Sequence, residues 1–175
     1  MKAEELYQYL IKGDRNLPNA DLSNEDLSGM DLSNINLTDA NLKQTNLTDA
    51  RLKAADLTGA DLTEANLNAA NLTGASLYET NLSKANLTKA RLDQASLQGA
   101  NLTEANLTEA NLIQTDLTRA NLTKANLTKI DLDKAIYRTT DFSYTDLSQA
   151  NLEGVNLDDL VLIGATLPEH LQQSV

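Results

Sequence analysis

Across residues 17–167 every fifth position is apolar. Of 31 such positions 29 are leucine, and Tyr137 and Phe142 fill the other two, so no polar residue breaks the column. Two places earlier in each unit stands a small or apolar residue, most often alanine, as at Ala40, Ala60, Ala65, Ala70, Ala100, Ala105 and Ala110. Asn or Asp precedes the leucine, Ser or Thr follows it, and a variable residue closes the unit. The pattern is A-(N/D)-L-(S/T)-x, in tandem and without a gap.

A period of five suits neither regular element. On an α-helix successive leucines would lie about 140° apart and spiral round the cylinder. In a flat strand they would alternate between the two faces. A chain that bends at each unit brings every leucine to one central axis, and a short fixed repeat of this kind predicts a solenoid. The residues between the leucines agree, because Asn, Asp, Ser, Thr and Gly are weak helix formers and good turn formers.

This unbroken A-(N/D)-L-(S/T)-x tandem resembles the pentapeptide-repeat family, over about 150 of the 175 residues. The segment Glu5–Leu17 (ELYQYLIKGDRNL) is similar to the N-terminal segment of many cyanobacterial members. The resemblance implies an all-β fold: a right-handed, quadrilateral parallel β-helix in which four units make one coil. It also implies that the central leucine and the residue two before it point inward. On that basis the chain makes seven to eight coils, a rod on the order of 37 Å long at about 4.8 Å per coil. The core column then includes Leu57, Leu77, Leu97, Leu117, Tyr137 and Phe142.

The chain reads as a single domain, 1–175, with a capping helix over 2–13, the repeat region over 15–167 and a tail over 168–175. In the first of these Ala3, Leu6, Tyr7 and Leu10 fall at helical spacing, acids come early and Gly13 follows as a stop. Such a helix would cover the open end of the first coil; a partner-binding or membrane-surface helix is the alternative. Arg15 and Glu25 occupy inward positions that elsewhere carry alanine. A carboxylate there needs a partner, expected to be Arg15, Lys12 or free backbone amides under the helix. A proton- or ligand-responsive site is the other reading of Glu25.

Residues twenty apart should stack. Glu64, Lys84, Glu104 and Lys124 then form an alternating charge ladder, and Asn46, Asn66, Asn86, Asn106 and Asn126 form an amide column, as do Asn81, Asn101 and Asn121. Inward Thr45, Thr80, Thr115 and Ile130 keep a methyl group in the core. The N-L-T and N-L-S triplets match glycosylation sequons as a by-product of the repeat. Past Ala135 the pattern loosens: Ile136 replaces Asn, Tyr144 faces outward, and Val161 and Ile163 flank Leu162 where polar residues are expected. Tyr144, Val161 and Ile163 should share one side with Gly164. This apolar patch is expected to be a self-association or partner surface, unless the tail Pro168–Val175 covers it.

The formal charge is −11 at pH 7, concentrated toward both ends. Direct nucleic-acid binding is disfavoured, because phosphates need a basic stripe. Some family members are acidic DNA mimics that protect or inhibit gyrase-type topoisomerases. The chain has the size and sign for that role but departs in its neutral-to-basic middle and its leucine-rich column.

No cysteine is present, which removes disulfides and thiolate chemistry. His170 is the single histidine and cannot supply a triad or a His-based metal site. A carboxylate pair such as Asp131 and Asp133 has no pocket to raise its pKa on a convex rod, and Asp21–Asp31 lacks EF-hand spacing. The sequence therefore predicts a protein that is not an enzyme, takes no cofactor or metal, and enters no membrane. It is expected in the cytoplasm, bound to an unknown protein partner or to a second copy through its C-terminal end.

Overall fold

A computed structural model describes residues 1–132 and 135–171. Its recurring contact is a parallel bridge between residues twenty apart, beginning with Asn16 to Asn36 and continuing to Asp146 with Thr166. Four five-residue units therefore complete one turn of the solenoid. The sequence expectation of coils stacked twenty residues apart holds. Among the described residues no extended strand forms, because each unit contributes one bridged residue and then turns.

The unit Asn86–Ala90 shows how five residues suffice, since each backbone N–H has a partner. Asn86 N–H reaches down to the Ala65 carbonyl at 2.9 Å, while Leu87 and Lys89 N–H reach up to Asn106 and Thr108 carbonyls at 2.7 and 2.9 Å. Ala90 N–H closes the turn on the Leu87 carbonyl at 2.9 Å. The remaining donor, Thr88 N–H, goes to the Asn86 side-chain oxygen at 3.1 Å. This last bond explains the Asn/Asp position: a short side-chain acceptor satisfies a donor that no neighbouring coil can reach.

Bending demands a left-handed residue at the variable position. From Asn19 to Tyr144, the described non-glycine residues there take φ of 54–62°, including Ala54, Ala69, Lys89 and Arg119. With the i to i+3 bond, this matches type II turns, in which only the third residue has positive φ. Pro18 stands in the second turn position, where its fixed φ fits. A left-handed L-residue costs about 1–2 kcal/mol, and glycine loses about 0.5–1 kcal/mol more entropy than alanine on folding. Ala69→Gly is therefore expected to stabilise the protein by about 0.5–1 kcal/mol. The check is a rise in the denaturant midpoint at unchanged slope; a fall would contradict the turn assignment.

Leucines 22–132 in the column are sealed from solvent, as are the alanines two places before them. Thr45, Thr80, Thr115, Thr140 and Thr145 sit in the alanine rows, fully buried. Their hydroxyls donate to leucine carbonyls 23 residues back, as Thr80 does to Leu57 at 2.8 Å. The methyl group fills the core as the sequence suggests, and the hydroxyl adds a bond the sequence does not announce.

At the N-terminal end lies helix α1, Ala3–Ile11, inside the expected 2–13, with Leu6 completely buried against the first coil. At the C-terminal end the unit around Leu157 tightens into a 3-10 turn, Leu157–Asp159. Phe142 is fully buried, but Tyr137 is only partly covered. The unit stacked above Tyr137 is this 3-10 turn, and the ring lacks a complete lid. Of the tail, Pro168 is buried and Glu169–Leu171 form a second 3-10 turn, with Leu171 against the core. Asp133 and residues 172–175 of the tail lie outside the described residues.

Candidate interaction surface

We call side two the stack of units centred on Leu22, Leu42, Leu62, Leu82, Leu102, Leu122, Phe142 and Leu162, in coils one to eight. Its last two coils bring the sequence-predicted patch together. Asp141 bridges to Val161, Phe142 N–H donates to the Val161 carbonyl at 2.9 Å, and Tyr144 N–H donates to the Ile163 carbonyl at 2.8 Å. Tyr144, Val161 and Ile163 are 60%, 41% and 65% exposed. The Tyr144 ring packs against Gly164: a Cβ at 164 would come within 2.7 Å of two ring carbons. Glycine here permits both the positive φ of 66° and the close approach of the ring. The tail does not close over these side chains within the described residues.

Below the patch the variable column of side two runs Gln44, Glu64, Lys84, Glu104, Lys124. Gln44 donates to Glu64 at 2.8 Å, and Lys124 stands 3.9 Å from Glu104. These are exposed, weak contacts of about 0.2–1 kcal/mol each. On the N-terminal half of side two lies a shallow depression of about 440 Å³ that runs from Ser23 and Asn24 in coil one, past Lys43, Gln44 and Glu64, to Asn81 in coil four. Lys43 is held at its rim by Asp61 at 3.0 Å. Nothing in the five-residue pattern signals this hollow.

The other sides are smoother. Side three carries the amide column, in which Asn86 donates to Asn66 at 3.1 Å; on side two, Asn101 donates to Asn81 at 3.2 Å. Asn66 and Asn81 instead turn to threonine hydroxyls two residues above the row below. Exposed Tyr78, Ile113 and Ile136 stand singly outside side two. Ile136 was visible as a break in the Asn/Asp row; Tyr78 and Ile113 replace a Ser or Thr and are legible as breaks of the same kind.

Arg15 and Glu25 do not pair with each other. Arg15 donates to the edge carbonyls of Asp31 and Ser33 at 3.1 and 2.9 Å. Glu25 takes the Ala3 amide at the start of α1 at 2.9 Å and the Lys2 ammonium at 2.6 Å. Backbone amides under the helix were among the expected partners; Lys2 replaces Arg15 and Lys12 as the charged one. The first coil has no coil beneath it, so a long side chain in the alanine row can turn up into the helix terminus. The Lys2 hydrogen bond, then the Ala3 amide, hold the Glu25 carboxyl below the usual glutamate range. Among the described residues no group of three His, Cys, Asp or Glu is placed to hold a metal ion, and no helix is long and apolar enough to cross a membrane.

A family model for pentapeptide repeats matches residues 16–53, 60–99, 100–136 and 139–169 in eight copies. Among solved structures, the pentapeptide repeat protein Rfr23 from the cyanobacterium Cyanothece 51142 is 31% identical. The match covers 67% of this chain and 92% of that one, with a TM-score of 0.54. HetL, a pentapeptide repeat protein involved in heterocyst differentiation regulation from Nostoc sp. strain PCC 7120, is also 31% identical. It covers 97% of this chain and 94% of its own at a TM-score of 0.36. QnrB1, a plasmid-mediated fluoroquinolone resistance protein, is 20% identical over 89% of this chain and 83% of its own, with a TM-score of 0.42. These last two superpositions are too loose to carry a structural argument. No curated protein sequence matches the chain.

Proposed function

The chain belongs to the pentapeptide-repeat family, and from that premise we propose that it is a non-catalytic interaction module that holds a protein partner on side two. The observation that carries this reading is that Tyr144, Val161 and Ile163 are exposed together on adjacent coils of one side. Tyrosine and branched aliphatic side chains in one patch are what an interface centre needs. A right-handed, square solenoid of seven to eight coils, working as one cytoplasmic domain, is part of the same proposal. So is a homodimer through the C-terminal end, whose two terminal coils carry the patch.

The test is capture with the intact protein beside Tyr144→Ser and Ile163→Ser. A partner held by the parent and lost from both variants, with unchanged circular dichroism, supports the reading. Identical sets of bound proteins from all three would overturn it. Mimicry of DNA toward a topoisomerase is the other reading the family resemblance suggests. It calls for an unbroken acidic surface, whereas each of the four sides carries bases, among them Arg119, Lys84, Lys89 and Arg91. Inhibition of gyrase supercoiling at about 10 µM or below would reinstate it.

A further inference from the structure

The two ends of side two are complementary to each other. One end is a knob, Tyr144 with Ile163, both more than half exposed. Toward the other end lies the depression, which begins at Asn24, Lys43 and Gln44 and extends to Asn81. Between them the charge alternates by coil: Glu64, Lys84, Glu104, Lys124 in coils three to six. We propose that a second copy of this chain docks along the whole of side two, antiparallel and flush, about a two-fold axis that crosses between Lys84 and Glu104. This deepens the C-terminal-patch reading and rests on it.

The register follows from the alternation. An axis lying across the side preserves each column, so the variable column of one copy faces that of the other. With the axis between coils four and five, coil one meets coil eight and coil two meets coil seven. Lys84 then meets Glu104 of the second copy, Glu64 meets its Lys124, and both contacts occur twice. Tyr144 meets Gln44 at the depression, where its ring can lie against the Lys43 stem and its hydroxyl can bond the Gln44 amide. Ile163 meets the small Ser23. A slip of one coil sets Lys84 against Lys84 and Glu64 against Glu104, so like charges penalise it. A parallel approach sets the variable column against the Asn/Asp column and leaves the ladder without opposite charges.

Eight coils at about 4.8 Å with a side roughly 13 Å wide bury about 500 Å² per copy. About 1,000 Å² in total is the lower edge of what a specific interface needs, so the dimer should be weak and salt-sensitive.

Sedimentation velocity on the full chain tests this. Lys84→Glu and Glu104→Lys should each weaken self-association about tenfold, and the double swap should restore it to within about threefold. Neither residue is in the core, and unchanged circular dichroism would confirm that the variants fold. If both single variants weaken the dimer and the swap does not restore it, the pairing of Lys84 with Glu104 is overturned. If the charge variants have no effect while Tyr144→Ser abolishes the dimer, contact is confined to the C-terminal end. Lateral docking then falls and the patch reading stands. A parent chain monomeric at about 100 µM removes the dimer altogether, leaving the capture experiment to decide the patch.

Discussion

Leu77→Ala is expected to cost about 4 kcal/mol, near the top of the range for such truncations. The reason lies in what surrounds the lost methyl groups. Leu57, Leu77 and Leu97 are fully buried in consecutive coils, and their spacing is set by the backbone. Leu57 N–H binds the Ser76 carbonyl at 2.8 Å and Leu77 N–H binds the Ser96 carbonyl at 2.7 Å. Neighbouring coils cannot close on a cavity without breaking those bonds, so the space stays open. Leu162→Ala supplies the contrast, because Leu162 is only partly buried in the last coil and should cost below about 1.5 kcal/mol. Denaturant midpoints of the two variants measure the difference. Equal losses would mean that the column is not held apart by its ladder.

That same ladder explains how much could be read from the sequence. The apolar period fixes the axis, and with the family's four units per coil it fixes which residues stack. Tyr144, Val161, Ile163 and Gly164 could therefore be placed on one side before any coordinates. The turn chemistry was less legible. Lys89 and Arg119 take a left-handed conformation that their side chains do not favour, and only the occasional glycine in that position hints at it. The buried threonine hydroxyls were hidden because threonine and valine look alike to a pattern of apolar periods. Glu25 was legible as an anomaly, but its choice of Lys2 depends on where α1 lies across the first coil. The depression on side two is lined by residues of four adjacent coils, which no five-residue pattern encodes.

A repeat this regular makes most of its surface interchangeable. Departures from the repeat are therefore the informative positions: Tyr144 and Ile163 where polar residues belong, Lys43 where Ser or Thr belongs, and Glu25 where alanine belongs. Three of these four lie on side two, while Tyr78, Ile113 and Ile136 depart from the repeat on other sides. The case for side two therefore rests on the adjacency of Tyr144, Val161 and Ile163 in neighbouring coils rather than on a count of departures.

The last of the four departures, Glu25, bears on the lid. Leu6→Asp should detach α1 and expose the first coil. Leu6 is fully buried among the core side chains of that coil, and an unpaired carboxylate in its place costs about 3 kcal/mol or more. A nine-residue helix does not persist in water without packing, so undocking means melting. Leu22, Leu27 and Leu32 would then face solvent beside an unprotected backbone edge, a template for association. The expected result is loss of amide protection over 3–11, concentration-dependent aggregation, and retained protection in the coils from Leu57 to Leu97. Acid should act in the same direction through Glu25. Its carboxyl is held below the usual glutamate range by Lys2 and the Ala3 amide, and Glu4 and Asp21 are the other acids near that corner. The contribution is complete above the ordinary glutamate value and is lost as pH falls through the lower folded one. Glu25→Gln should remove that pH dependence while leaving α1 docked at neutral pH, because Leu6 still anchors it. Protection of 3–11 that is indifferent to both Leu6→Asp and acid would show that something other than this plug and this cap holds the lid down.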